Sequence, residues 1–116
     1  MGNQLAAVAE RKSEPITYTL TTDAKSLLLS WKCMGGSESY LCRGHTGVVE
    51  KWRGITVQSG RVTQVDWASE RLRNAIPKEI CCLDELTHLD LGGNMLSGGV
   101  PSGIGNLRKL KHLSLR

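Results

Sequence analysis

Aliphatic residues recur at a fixed spacing through the C-terminal half of the chain. Residues 86–110 read LTHLDLGGNMLSGGVPSGIGNLRKL, with apolar positions separated by short polar or glycine-rich intervals. The same pattern begins earlier, at Val62, and again later, at Leu110, so that the three starting points are equally spaced. A fixed period of this kind is typical of stacked repeats, because one repeat is too small to bury its own apolar side.

Each repeat opens with a segment in which alternate residues are apolar. Leu89 and Leu91 point to one side of a short extended segment, which leaves His88 and Asp90 on the other side. The pattern predicts strands at about 62–67, 87–91 and 111–115. Stacking of the coils would place these strands side by side in a parallel sheet.

Three residues in the repeats have a predicted structural role. The side-chain amide of Asn94 both donates and accepts hydrogen bonds, so it can satisfy backbone groups where the chain turns after the strand. Pro77 and Pro101 occupy the same position in successive repeats. Their fixed φ and missing N–H suit a position that needs no ladder hydrogen bond.

The N-terminal part is less regular. Residues 1–20 show no clear period and are predicted to be a flexible leader. Thr22-Asp23 supplies a helix start, and Ala24, Leu27, Leu28 and Trp31 form one apolar face of a helix over about 22–33. A hairpin with a turn at residues 59–60 is predicted to lead into the first repeat.

These motifs resemble the plant-type, 24-residue subclass of the leucine-rich repeat family. The second repeat matches the LxxLxLxxNxLxGxIPxxIxxLxx pattern almost completely, whereas the first departs at Glu70, where asparagine belongs, and at Asn74, where glycine belongs. Residues 22–62, which include Trp31 and Trp52, resemble the N-terminal cap of the family. The resemblance covers about residues 21–116. It implies an α/β solenoid, a right-handed superhelix with short parallel strands, a helical or irregular convex side and a helix–hairpin cap.

The domain organisation follows from this register. We predict a leader at 1–20, a cap at 21–61, repeats at 62–85 and 86–109, and a truncated third repeat at 110–116. The third repeat stops before its turn asparagine. The expectation is therefore a fragment whose C-terminal edge is covered by further repeats or by a partner.

Charge and cysteine content indicate which partners the protein could bind and in which cellular compartment it is found. The net charge is +4 without a block of like charges, which favours an ordinary mixed surface over a nucleic-acid site. Val57 stands where secreted relatives carry a cap cysteine, and the chain contains no N-x-S/T acceptor. We therefore predict a cytoplasmic protein with reduced cysteines, membrane-associated if Gly2 is myristoylated. The alternative is an extracellular protein whose native N-terminus is missing, in which Cys33 and Cys42 could form a bridge.

The sequence contains no motif for catalysis. It lacks a nucleophile elbow, a P-loop and a metalloprotease helix, so we predict a protein that is not an enzyme and needs no cofactor. Zinc binding by Cys33, Cys42 and His45 lacks a supporting C-x-x-C pair. His88 and His112 should face each other as a metal-binding or pH-sensing pair, or as two solvent-facing histidines without a further role. The last of these interpretations is favoured, and no metal site is predicted.

The leading functional hypothesis is a protein-recognition scaffold that uses the concave face of the solenoid. Two alternatives are an N-terminal regulatory or ligand-sensing part of a larger kinase, GTPase or receptor, and a purely structural spacer. No nucleic-acid partner or transmembrane segment is predicted. The residues predicted to contact the partner are Gln64, Asp66, His88, Asp90, His112, Ser114 and Arg116.

Overall fold

The computed structural model describes residues 21–116, so the leader predicted for residues 1–20 lies outside the described part of the chain. Its α-helices are α1 (Thr22–Cys33) and α2 (Glu38–Cys42), and 3-10 helices span Val49–Lys51, Lys78–Cys82 and Ser102–Asn106. The strands of this part are β1 (Ile55–Gln58), β2 (Arg61–Asp66), β3 (Arg73–Ala75), β4 (His88–Asp90), β5 (Met95–Ser97) and β6 (His112–Ser114).

Helix α1 forms where the apolar face was predicted. The Thr21 hydroxyl accepts a hydrogen bond from the Ala24 N–H at 3.1 Å, which satisfies one of the free donors at the start of the helix. Ala24, Leu27 and Trp31 are fully buried on one side. The helix ends at Cys33, and Gly35 then takes a left-handed conformation with φ of 85°.

The main sheet has the strand order β1-β2-β4-β6. β1 and β2 form an antiparallel hairpin, as predicted. β2, β4 and β6 are parallel, with Val65, Leu89 and Leu113 in one register, so the predicted parallel pairing is confirmed. The strands β4 and β6 are one residue shorter at each end than predicted.

A second, two-stranded parallel sheet joins β3 and β5 on another side of the coils. Pro77 and Pro101 immediately precede the 3-10 helices at 78–82 and 102–106, and both have extended backbone conformations. Proline suits the position before a helix, because its ring fixes φ and its missing N–H is not needed for a helical hydrogen bond there. The two prolines therefore occupy equivalent places in successive coils, as the register predicted.

The core lies between the main sheet and the helical side of the coils. It is built from aliphatic residues and tryptophan, and Trp31 of α1 meets Trp67 with ring centroids 5.0 Å apart in an edge-to-face arrangement. The leucines at 83, 86, 89 and 91 are fully buried. In contrast, Leu113 of β6 is 41% exposed, because β6 is the outermost strand of the described sheet.

Candidate functional site

The predicted contact residues lie in rows across the main sheet. Gln64, His88 and His112 are register partners on β2, β4 and β6, and Asp66, Asp90 and Ser114 form a second row further along the same strands. Since alternate side chains of a strand share a face, both rows point to the same side. Arg116 follows the end of β6 and is exposed. The contacts with a partner remain a prediction.

The two histidines of the first row are close neighbours. Their rings are stacked, with centroids 5.8 Å apart and an angle of 30° between the planes. Both side chains are exposed. The Thr87 hydroxyl lies 2.8 Å from Nδ1 of His88 and 3.0 Å from the Thr63 carbonyl oxygen, to which it donates a hydrogen bond. One ring of the pair is thus fixed by the sheet itself.

The second row places two carboxylates side by side. Asp66 Oδ1 accepts a hydrogen bond from the Ala68 N–H at 3.3 Å, and Asp90 Oδ1 accepts one from the Gly92 N–H at 2.9 Å. These bonds hold each carboxylate at the start of its turn. Like charges directly across neighbouring strands repel each other, so this part of the face favours a positively charged or hydrogen-bond-donating contact.

Asn94 supports the face from the turn that follows β4. Its Nδ2 donates to the carbonyl oxygens of Leu91 and Trp67 at 2.9 and 2.8 Å, and its Oδ1 accepts from the N–H groups of Glu70 and Leu72 at 2.9 and 3.0 Å. Four backbone groups in two successive coils are satisfied by one side chain. The turn geometry after the strands therefore depends on Asn94.

Trp31 and Trp52 attach two loops to the hydrophobic core. Both are almost completely buried. Each indole N–H donates to a backbone carbonyl oxygen in a neighbouring loop, that of Ser37 at 2.7 Å for Trp31 and that of His45 at 2.9 Å for Trp52. A buried indole needs such a partner, so the loops at 37 and 45 are tied to the core.

Two polar clusters were missed by the sequence analysis. In the first, the buried carboxylate of Asp23 accepts hydrogen bonds from Arg61 Nε and from the Val62 N–H, both at 2.9 Å, and Arg61 also contacts Asp84. The hydrogen bonds to Asp23 and then to Asp84 raise the pKa of the Arg61 guanidinium above its ordinary value, so it stays charged. The helix-start signal at Asp23 was visible, but no local pattern links residues so far apart in the chain.

The second cluster covers the junction between the N-terminal segment and the first repeat. The Arg53 guanidinium lies 4.0 Å from the centroid of the Tyr40 ring, and Tyr40 stacks on Trp31. Glu70, the residue in place of the turn asparagine, lies 3.6 Å from Arg53. The only sign of this cluster in the sequence was the departure from the repeat pattern at Glu70, and that departure did not indicate which residue Glu70 would contact.

Neither a cluster of three metal ligands nor a membrane-spanning helix occurs in the described part. Residues 21–116 contain no group of three or more His, Cys, Asp or Glu side chains arranged to hold a metal ion. Cys33, Cys42, Cys81 and Cys82 are all free thiols. None of the helices in this part of the chain reaches the length and apolarity that crossing a bilayer requires.

The chain is similar in sequence to parts of plant receptor kinases. It is 40% identical over 52 residues to the receptor-like kinase TMK4 of Arabidopsis thaliana and 39% identical over 64 residues to receptor-like protein kinase 7 of the same organism. These matches cover 45% and 53% of this chain. They span only 6% and 7% of the length of the two relatives. No family model matches the sequence.

Solved structures extend the similarity to most of the chain. The PEPR1–AtPEP1 structure matches with a TM-score of 0.72 and 28% identity, over 83% of this chain and 14% of that one. The ectodomain of the receptor kinase SOBIR1 from Arabidopsis thaliana matches with a TM-score of 0.63 and 28% identity, over 82% of this chain and 52% of that one. The ectodomain of GASSHO1/SCHENGEN3 from Arabidopsis thaliana, at 24% identity and a TM-score of 0.70 over 81% of this chain and 12% of that one, agrees in fold.

The prediction of a cytoplasmic protein is wrong. The chain matches leucine-rich repeat ectodomains of receptor kinases, and an ectodomain is the part of a receptor outside the cell. The prediction depended on two absences, the cap cysteine replaced by Val57 and the missing glycosylation acceptor. Neither a single cross-link nor a surface glycan is needed to form these coils, so their absence does not report on the compartment. Myristoylation of Gly2 falls on residues outside the described part.

The parallel pairing of β2, β4 and β6 in this structure is accompanied by similarity in fold to leucine-rich repeat ectodomains. The described residues form a leucine-rich repeat solenoid. The resemblance predicted from the repeat register is confirmed: this chain is similar in sequence and in fold to the plant-type leucine-rich repeat family.

Proposed function

We propose that this chain is a non-catalytic recognition scaffold that binds a protein or peptide through the concave face of its main sheet. The observation that carries the proposal is the register of β2, β4 and β6, which aligns two rows of polar side chains on one face. The similarity to receptor ectodomains supports a recognition role. Gln64, Asp66, His88, Asp90, His112, Ser114 and Arg116 are the residues proposed to contact the partner.

The proposal includes the finer architecture. Residues 21–61 act as an N-terminal cap, which keeps the apolar end of the first coil from water. The burial of Leu27 and Trp31 against that coil supports this role. Repeats at 62–85 and 86–109, followed by 110–116, then wind in a right-handed superhelix whose concave side carries the strands.

The proposed partner is an extracellular protein or peptide. The PEPR1–AtPEP1 structure, as its name states, contains two components, PEPR1 and AtPEP1. The polar, mixed-charge rows of this chain suit a partner that offers hydrogen-bond donors to Asp66 and Asp90. No aromatic anchor stands in either row, so affinity would come from several modest contacts.

A photo-crosslinking experiment tests the proposal. A benzophenone amino acid is placed at Asp66 on the concave face and, in a matched variant, at the exposed Lys78 on the helical side. Each variant is irradiated with secreted and cell-surface proteins of the organism that encodes the chain. We expect a discrete adduct at position 66 that excess unlabelled chain prevents and that the Asp90→Lys variant loses. Equal adducts at both positions, or none at position 66, would contradict a concave binding face.

A second candidate function is the N-terminal ligand-sensing part of a larger receptor. The similarity to two receptor-like kinases favours it, although the match spans a small fraction of each. Sequencing the full-length transcript tests this candidate directly. A kinase domain in the same reading frame would support it, and a transcript that encodes repeats alone would exclude it.

A further inference from the structure

His88 and His112 form a pair of potential metal ligands on the concave face. They are direct register partners on β4 and β6, and their rings stack at 5.8 Å. Backbones of adjacent strands lie about 4.8 Å apart, so the two imidazoles leave the sheet side by side. The sheet thus holds together two nitrogen ligands that belong to successive repeats of the chain.

The hydrogen bonds of Thr87 determine which nitrogen of His88 carries a proton. A threonine hydroxyl has one proton, and the Thr63 carbonyl oxygen at 3.0 Å can only accept it. For the 2.8 Å contact with His88 to be a hydrogen bond as well, Nδ1 of His88 must donate to the hydroxyl oxygen. The opposite assignment would leave two oxygen acceptors 3.0 Å apart with no proton between them. Neutral His88 therefore presents Nε2 as a free lone pair.

The hydrogen bonds from His88 to Thr87 and from Thr87 to Thr63 resemble those that support metal-binding histidines in other proteins. Metal-bound histidines usually donate their second ring N–H to an oxygen of the protein, which fixes the tautomer and the ring orientation. Thr87 does this for His88, and the Thr63 carbonyl oxygen holds Thr87 in turn. An ordinary solvent-facing histidine needs no such support. His112 supplies the second imidazole next to it.

We propose that His88 and His112 form a two-histidine site for a divalent transition-metal ion of the Ni²⁺, Cu²⁺ or Zn²⁺ class. Imidazole nitrogen is a favourable ligand for these ions. Thr87 holds the His88 ring, whereas the exposed His112 ring can turn to place one of its nitrogens about 2.0–2.1 Å from an ion bound to Nε2 of His88. Because no third His, Cys, Asp or Glu ligand is grouped with them in residues 21–116, the remaining positions are open to water or to a donor from a bound partner.

A titration with Ni²⁺ tests the site without any knowledge of the protein partner. The untagged chain carries Cys33→Ser and Cys82→Ser throughout, because exposed thiols compete as ligands. Calorimetry gives the stoichiometry and affinity, and long-range ¹H–¹⁵N spectra of the histidine rings, recorded with diamagnetic Zn²⁺ in place of Ni²⁺, identify the bound nitrogens. We expect one ion per chain, with Nε2 of His88 affected and Nδ1 still protonated.

Four substitutions separate this site from adventitious binding. His88→Ala and His112→Ala should each weaken Ni²⁺ binding by roughly 100-fold, because either change removes the chelate. Thr87→Val keeps both ligands but frees the His88 ring, and a loss of roughly tenfold or more is expected. His45→Ala removes the third, exposed histidine and should leave binding unchanged. Amide spectra establish that each variant keeps its fold, and glutamine at the same position replaces any alanine that does not.

The proposal is overturned if Ni²⁺ binding survives His88→Ala, or if His45→Ala weakens binding as much as His112→Ala does. It is also overturned if the ring spectra show Nε2 of His88 protonated in the metal-free chain. None of these results depends on whether the concave face binds a protein. The experiment therefore tests the metal site independently of the proposed recognition function.

Discussion

At the scale of single residues, the first repeat departs from the pattern without losing its shape. Asn74 stands where the second repeat has Gly98, and the two adopt nearly the same left-handed φ, 70° and 74°. Asparagine tolerates this region better than most side chains. Asn74 Nδ2 also donates to the Cys33 carbonyl oxygen at 3.1 Å, so the departure fastens the end of α1 to the first coil.

Asn94 is the residue whose loss should be most costly. Asn94→Ala removes the acceptor of the Glu70 and Leu72 N–H groups and the donor to three carbonyl oxygens. Leaving partly buried backbone groups without partners costs about 1–3 kcal/mol, so the free energy of unfolding should fall by roughly 3 kcal/mol. Urea unfolding measures this change in the free energy of unfolding. Asn106→Ala is the matched control at an exposed asparagine, and an equal loss there would refute the special role of Asn94.

The thiols should differ in reactivity. Burial and then the nearby charge of Glu38 raise the pKa of Cys42 above its ordinary value, whereas Cys33 is exposed. Alkylation by iodoacetamide, followed by mass spectrometry, should therefore modify Cys33 well before Cys42, because the thiolate is the nucleophile. Faster modification of Cys42 than of Cys33 in the folded chain would contradict this order.

The same shift predicts how stability depends on pH. A folded-state pKa above the unfolded value means that the folded chain holds the Cys42 proton more tightly. The stabilisation is fully present below the unfolded pKa of about 8.5 and is lost as the pH rises through the folded value. Cys42→Ala should flatten the fall in stability above about pH 8.5. A fall of the same steepness in that variant would assign the pH dependence to other groups.

At the scale of elements, helix α1 is joined to the sheet by polar as well as apolar contacts. Asp23 is 3% exposed, yet it lies in the first turn of α1 and bonds the start of β2 through the Val62 N–H. A buried carboxylate must be paired or hydrogen-bonded to be tolerated. The helix is therefore fixed in position at its N-terminus by Asp23 and at its C-terminal end by the bond from Asn74.

Asp23→Ala should loosen the helix from the sheet. The Val62 N–H would lose its acceptor, at a cost of about 2 kcal/mol, and Arg61 would lose its main partner. Hydrogen exchange of the amides of α1 should accelerate more than that of β4. Asp84→Ala is the control, because it removes only the exposed partner of Arg61 and should have little effect. If the two substitutions accelerated hydrogen exchange in α1 equally, the buried carboxylate of Asp23 would not be what joins the helix to the sheet.

At the scale of the whole molecule, the two edges of the main sheet differ in how they are covered. The hairpin strand β1 lies outside β2, whereas β6 has no strand beyond it in the described chain. As a result Leu113 is 41% exposed, although Leu89 and Val65 in the same register are buried. An uncovered strand with apolar side chains is prone to pair with other chains.

Adding one designed repeat of the same length with a polar outer face after Arg116 should therefore stabilise the polypeptide. Covering Leu113 and Leu115 should contribute roughly 1–2 kcal/mol and raise the melting temperature by several degrees. The control carries serine at the apolar positions of the added repeat. Calorimetry and light scattering measure unfolding and self-association. A control that stabilises equally would show that burial of the edge is not the cause.

The repeat period, read from the sequence, determined the coils, the parallel sheet, the rows of polar side chains and the positions of Pro77, Pro101 and Asn94. This was feasible because repeats contact their neighbours in chain order, so local spacing translates directly into contacts. The tertiary structure decided what depends on pairs distant in sequence. Asp23 meets Arg61, and Arg53 lies over Tyr40. The repeat period does not encode these two pairs, because each includes a residue of the N-terminal segment that precedes the repeats. The Thr63–Thr87 hydrogen bond does span one repeat, 24 residues, but the sequence did not show that it would orient the ring of His88.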